Sequence, residues 1–440
     1  MKKVFYLMLL LAVVFFSCKK NNDGTAAVAL RTVTVQLVYP DSASFKATAG
    51  VHVKLSTSTA IYDTTTDANG KVSFSVPVGI YEASATDTRS NGGKAYIYNA
   101  VKSGITITNT WAATDTVKLA LTESQSSQIV IKELFDGGTL KDDGSGVFLY
   151  DRYVILYNNS TTTANLGNMC IGMVAPYNAQ ATNSYYGTDG KLTYESQVWL
   201  PAAQGFWYFQ QNVAIEPGKQ IVIALNNAVN NTITYSKSIN FNNADYYCMY
   251  DIGTYTNVTY YVTPAAAIPT THYLKAQAYG TGNAWALSTT SPGLFLFNTV
   301  GTTPAAFAAD ATKTDVLGAY TSKKVPTSWV VDGVEGYLLN NTANKKRFTA
   351  TIDAGYVYHL NGYGYSIYRN VDKTATEALA SNKDKLVYSY AYGTVSIGGT
   401  TDPSGIDAEA SIKKGATIIY QDTNNSTNDF HLRSQASLRN

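Results

Sequence analysis

The stretch from Ile129 to Ile171 constrains this chain more than any other. It reads IVIKELFDGG, then a Gly- and Asp-rich loop, then DRYVILYNNSTTTANLGNMCI. Apolar and polar residues alternate over Ile129, Ile131 and Leu134 in the first run and over Tyr153, Ile155 and Tyr157 in the second, and each run stops at Gly or Asn. That period predicts a pair of half-buried strands. The rest of the composition agrees: only 15% of residues are charged, 34 are Tyr, and Thr, Asn, Ser and Gly fill the gaps between apolar runs. With 440 residues the chain exceeds one typical domain of about 100–200 residues, so two domains are expected.

An I-x-E-L strand, a polar loop, a Y-V-x-L-Y-N strand, an Asn/Ser/Thr turn and N-L-x-x-M-x-I follow one another in this stretch. That order resembles the lamin-tail domain, an immunoglobulin-like β-sandwich, and most closely the uncharacterised lamin-tail-like lipoproteins of Bacteroidetes grouped as DUF4876. Ile215 to Ala224 (IEPGKQIVIA), Ser328 to Glu335 (SWVVDGVE), Gly364 to Arg369 (GYSIYR) and the segment Asp422 to Arg439 continue the resemblance over 126–440. A core of about a hundred residues, usual for small sandwiches, then implies insertions at about 175–205, 226–321 and 371–410. Long loops of this kind are usually functional. The middle one is rich in aromatics and is read as a contact surface separable from the fold, with Tyr246, Tyr247, Tyr260 and Trp285 as its anchors. The same residue types also build ordinary cores. Tyr356, Tyr358, Tyr363, Tyr365 and Tyr368 are expected to pair across a hairpin. Thr374 to Lys385 is the one helix predicted, with Thr374 as N-cap and Glu377 completing a capping box.

Residues 28–122 predict strands at Arg31 to Tyr39, Val51 to Ser56, Lys71 to Val76, Gly79 to Ala85 and Val117 to Leu121. Between them T-D-x-x-G-x-x-x-F-x-V-P-x-G-x-Y, from Thr66 to Tyr81, is similar to the transthyretin-like and carboxypeptidase-regulatory-like modules. Gly70 supplies the positive φ of the turn. Asp67 and Asn69 read as turn residues, since a calcium loop needs further acids at fixed spacing. The expected fold class is therefore all-β, with two immunoglobulin-like or prealbumin-like sandwiches, the first a spacer.

Lys2 and Lys3 precede an apolar run from Val4 to Phe16 that ends Ser17-Cys18. The run is too short to span a bilayer, for which about 20 apolar residues are needed, and reads as a signal peptide over 1–17. Ser17-Cys18 resembles a lipobox, with Phe15 in place of the usual Leu; the resemblance implies lipid on Cys18, a linker over 18–27, and an outer-membrane anchor. Removing Lys2 and Lys3 from 33 basic residues balances them against 31 acidic ones. Nothing there favours nucleic acid. Lys345, Lys346 and Arg347 read as a solvated turn.

No metal or cofactor is expected. His52, His272, His359 and His431 lack zinc spacing, and no nucleophile elbow, P-loop or dinucleotide motif is present. Asp332 with Glu335, or Asp142 with Asp143, leave a glycosidase pair open, although loop or edge carboxylates are the simpler reading. Asp422 and Asp429, amid Asn424, Asn425 and Ser426, read as turn formers rather than cation ligands. Cys170 and Cys248 are expected as buried free thiols rather than a bridge. The resulting expectation is a surface lipoprotein, not an enzyme, that binds an outer-membrane receptor of the TonB-dependent kind or a glycan. A glycan-active surface enzyme and an adhesive protein are the alternatives.

Overall fold

The computed structural model describes residues 29–439 apart from 42, 44, 58, 59, 92, 93, 127, 181–183, 319 and 395–399. The signal run, the linker and Cys18 lie outside the described residues. The chain divides into two units. The described residues of the first are 29–38, 47–84 and 101–119; the second takes 39–46, 85–100 and 120–439. The division therefore falls differently from a cut near 122, because the long strands β5 (Gly79–Asn91) and β6 (Lys94–Ile107) each contribute to both units.

The first unit holds β1 (Leu30–Val38), β2 (His52–Ser56), β3 (Ile61–Thr65), β4 (Lys71–Pro77) and β7 (Thr116–Ala120) with its shares of β5 and β6. One sheet runs β4-β1-β7 and the other has β3-β2-β5-β6. Val33, Val35 and Leu37 of β1 bury the same face as Val72, Phe74 and Val76 of β4, as period-two alternation requires. Asp67 accepts the N–H groups of Asn69 at 2.8 Å and Lys71 at 2.9 Å, so its carboxylate is spent on the turn that Gly70 completes at φ +72°. Strand β3 escaped the sequence reading because it is an exposed edge with no apolar alternation.

The second unit opens with β8 (Thr122–Ser126), which pairs with the start of β6. One layer is built on β9 (Ile129–Phe135) and β12 (Tyr153–Asn158), flanked by β17 (Gln220–Ala224) and β18 (Tyr247–Met249) on one side and by β25 (Ser366–Arg369) and β26 (Phe430–Arg433) on the other. The second layer contains β14 (Met169–Val174), β15 (Trp199–Tyr208), β20 (Gly293–Asn298), β22 (Tyr320–Pro326), β23 (Val330–Leu338) and β24 (Val357–His359), with β21 (Thr314–Leu317) on β22. Strand β19 (Tyr273–Ala278) joins them, pairing with β15 and β18. Two short pairs complete the set: β10 (Thr139–Leu140) with β11 (Val147–Phe148), and β13 (Ala164–Asn165) with β16 (Ala214–Ile215). The core between the layers joins Leu134, Val154, Leu156 and Ile223 to Ile171, Phe206, Trp207, Phe295 and Phe297. The molecule is all-β with a few short helices.

Several expectations change here. Strands β9 and β12 are buried on both faces, not half-buried. The outer face is covered by Ile239, Phe241 and Ile268 at one end and by Val371, Ile406, Ile418 and Tyr420 at the other. All of these but Ile418 and Tyr420 come from segments read as insertions. The segments 175–205 and 226–321 also supply β15 in part and β18 to β21 entirely, so they are frame and not removable loops. Tyr358 lies on a strand parallel to β23, so no hairpin forms there. Helix α2 (Lys373–Ala378) is capped by Asp372, which accepts the Ala375 N–H at 2.9 Å; Thr374 sits inside it. Among the described residues there are three further short helices, α1 (Pro304–Ala309), α3 (Ala408–Lys413) and α4 (Ser426–Asp429).

Candidate functional site

β9 ends, β12 begins and β17 ends at one end of their layer, and three loops gather there: 136–152, 226–240 and 360–365. They are tied to one another by backbone and short side chains. The N–H groups of Gly362 and Gly364 donate to the carbonyls of Gly137 at 2.8 Å and Gly138 at 3.0 Å. Gly138, at φ +70°, lies so near the Phe148 carbonyl that a Cβ would stand 2.2 Å from it. Asp142 accepts the Ser236 N–H at 2.8 Å and hydroxyl at 2.9 Å, clamping the hairpin to loop 226–240.

Aromatic rings run across this base. Phe148 meets Tyr235 at 4.7 Å and Tyr150 at 5.8 Å, and Tyr150 meets Tyr260 edge-on at 5.9 Å. Around them Leu140, Tyr150, Ile233 and Tyr363 are 46%, 36%, 81% and 58% exposed. Beneath the rings Arg152 donates to Asp136 at 3.3 Å, to the Leu287 carbonyl at 2.9 Å and to the Tyr260 hydroxyl. Burial pushes the Asp136 carboxyl up to about 7, against the pull of Arg152. Its Oδ2 and the Arg152 Nε have no protein partner.

Of the four anchors expected from sequence, Tyr246, Tyr247, Tyr260 and Trp285, only Tyr260 belongs to this end. Trp285 is 1% exposed and donates its indole N–H to the Gly205 carbonyl at 3.1 Å. Tyr247 is buried and stacks on His272 at 4.1 Å; half-buried Tyr246 offers its carbonyl to the same imidazole. Trp285 and Tyr247 are thus packing residues, unavailable as surface anchors. Leu140 and Ile233 were missed, because neither a two-residue strand nor a loop carries a periodicity that marks an exposed apolar side chain; Tyr363 was named, but as a hairpin partner rather than a surface residue.

The carboxylate pairs separate. Asp332 and Glu335 point to opposite faces of β23: Asp332 holds Arg369 at 2.5 Å, and Glu335 holds Arg347 at 2.9 Å and Lys346 at 2.6 Å. Asp143 caps an exposed turn at Ser145. Asp422 and Asp429 lie at 3.4 and 3.9 Å from the Arg369 guanidinium, so the cation between them is the protein's own. Asp429 also accepts the Thr423 and Asn425 N–H groups at 2.8 and 3.1 Å, a turn as well. The run Lys345 to Arg347 is no solvated turn, since Arg347 is fully buried and donates to the carbonyls of Pro176, Tyr177 and Ser291. Cys170 and Cys248 are buried free thiols, one between the layers and the other under the outer cover. A depression of about 210 Å³ lined by Tyr186, Lys191, Leu192, Lys346 and Phe348 falls below the roughly 300–1,000 Å³ of small-molecule sites. Among the described residues no group of three or more His, Cys, Asp or Glu gathers as a metal site, and no helix is long and apolar enough to cross a membrane.

The family described as "Protein of unknown function (DUF4876)" matches residues 216–385, a span that includes loops 226–240 and 360–365 and Tyr260. The crystal structure of a DUF4876 family protein from Bacteroides thetaiotaomicron VPI-5482 is similar over 91% of this chain and 94% of that chain. Its TM-score is 0.50 at 18% identity, a likeness of fold. No curated protein matches the chain.

Proposed function

We propose that this chain is an outer-membrane lipoprotein, anchored through Cys18, that binds a partner protein through the three-loop end of its second unit. The observation that carries the reading is the exposure of Leu140, Tyr150, Ile233 and Tyr363 over a base fixed by Asp142 and by the Gly362–Gly137 and Gly364–Gly138 hydrogen bonds. Single exposed apolar residues mean little. Four drawn from three loops onto one mutually bonded base form a patch of the kind that marks a contact surface. Aliphatic Leu140 and Ile233 suit a protein better than a glycan, whose rings stack on aromatic faces alone. A TonB-dependent receptor of the same membrane is the partner this reading favours. The glycan-enzyme reading is weakened because Asp332 and Glu335 are each held by a buried cation on opposite faces.

Crosslinking and recovery of the native lipoprotein from its own membrane tests the proposal. Ile233→Asp together with Tyr363→Ala should leave the melting temperature unchanged and abolish recovery of the partner. Undiminished recovery would overturn the assigned surface.

A further inference from the structure

Asp151 immediately precedes Arg152 and β12, and Asn226 follows β17. The ladder sets Tyr153 opposite Ala224, and the Leu225 N–H donates to the Arg152 carbonyl at 2.9 Å. Asp151 and Asn226 are therefore the next cross-strand pair, on the face that carries Tyr153 and Ala224. Cβ atoms of such a pair stand about 4.5–5.5 Å apart.

Both side chains are buried. Asp151 Oδ2 accepts the Ser238 hydroxyl at 2.8 Å and the Thr139 hydroxyl at 3.3 Å, while its Oδ1 has no protein partner. Neither Oδ1 nor Nδ2 of Asn226 has one either. Buried carboxylates are as a rule paired or bound to cations. Asp136, Asp332, Glu335 and Asp353, buried to the same degree, each lie within ion-pair reach of Arg or Lys. Asp151 forms no such pair: Arg152 points to the opposite face of the strand, and half-buried Arg439 acts on it only from a distance. Asp151 Oδ1 and Asn226 Oδ1 are thus two unpartnered buried oxygens on the same face of adjacent chain segments, and an oxygen-seeking cation would satisfy both.

We infer that Asp151, Asn226, Ser238 and Thr139 form a binding site for a hard metal cation of the calcium or alkali class. Carboxylate, carboxamide and hydroxyl oxygens are the donors such ions prefer, and the four residues offer neither sulfur nor imidazole. With one carboxylate in the set, affinity should fall in the weak range of about 10⁻⁴ to 10⁻³ M known for extracellular modules. Asn226 and Ser238 bracket the loop carrying Ile233 and Tyr235, so the ion would fasten both ends of that loop to the start of β12. The ion would fasten this loop whatever the loop touches.

Thermal unfolding of the full purified chain, stripped of metal, with rising CaCl₂ or NaCl against choline chloride at constant ionic strength, tests it. The melting temperature should rise by about 2–4 °C for each tenfold of the preferred cation above its dissociation constant. Asp151→Asn and Asn226→Leu should each abolish the rise. No rise with either cation, the outcome for a bridging water, overturns the site. Should Asp151→Asn fail to fold, Asn226→Leu decides: a variant that keeps the full cation response overturns the assignment.

Discussion

Buried charge dominates at the scale of the residue. Glu335 accepts the Arg347 Nε and backbone N–H, both at 2.9 Å, in a site closed to water. Glu335→Ala strands that guanidinium, and we expect a loss of about 3–5 kcal/mol in urea unfolding. A pH effect follows from the Arg369 cluster, where burial raises Asp332 to about 6 and Asp429 to about 8. Both folded values lie above the unfolded ones, so these groups contribute stability at low pH that is lost as pH rises through their folded range. Urea midpoints should therefore fall as pH rises from about 4, the ordinary carboxyl value, to about 8, where Asp429 has lost its proton in the folded state as well, and Asp429→Asn should flatten the upper part of that slope. An unchanged slope would remove Asp429 as the cause. None of this was legible in the sequence. Lys346 and Arg347 looked like a surface turn because the carboxylate that buries them lies on another strand, and 37 positions separate Asp332 from Arg369.

Among the elements, the sequence marked β9, β12, β14 and β17 by alternation or by their flanking Gly and Pro residues, and the structure has strands at each. It hid β18 and β20, since a strand buried on both faces carries no period and reads like any apolar run; β19 does alternate, with Leu274 and Ala276 buried and Lys275 exposed, and was passed over inside a segment read as an insertion. Lys132 was equally opaque: it is the extra residue of a bulge between Ile131 and Glu133 that turns its amine to Glu409 at 2.7 Å. Two outcomes follow for the elements. Deleting 226–321 removes β18 to β21 and should give an aggregated or protease-labile second unit by limited proteolysis. Gly138→Ala forces a Cβ against the Phe148 carbonyl from a positive φ; a cost of about 1–3 kcal/mol is expected, together with loss of partner recovery as the hairpin shifts.

For the molecule as a whole, location precedes recognition. Cys18→Ala should release the protein from the detergent phase into the aqueous one; a variant still wholly in detergent would rule out lipid on that residue. The order of assembly is set by the pairing of β9. One edge of that strand waits for β25, whose partner β26 spans Phe430–Arg433, and Glu133 within it accepts the Ser437 N–H at 2.9 Å across 304 positions of chain. Loop closure over such spans is slow and unrewarded until the last contact is made. The second unit therefore cannot mature from its leading residues onward. On the export route proposed above, the polypeptide feeding through a translocation pore would remain open in this region, dependent on holding factors, until residues some three hundred positions behind β9 have also come through.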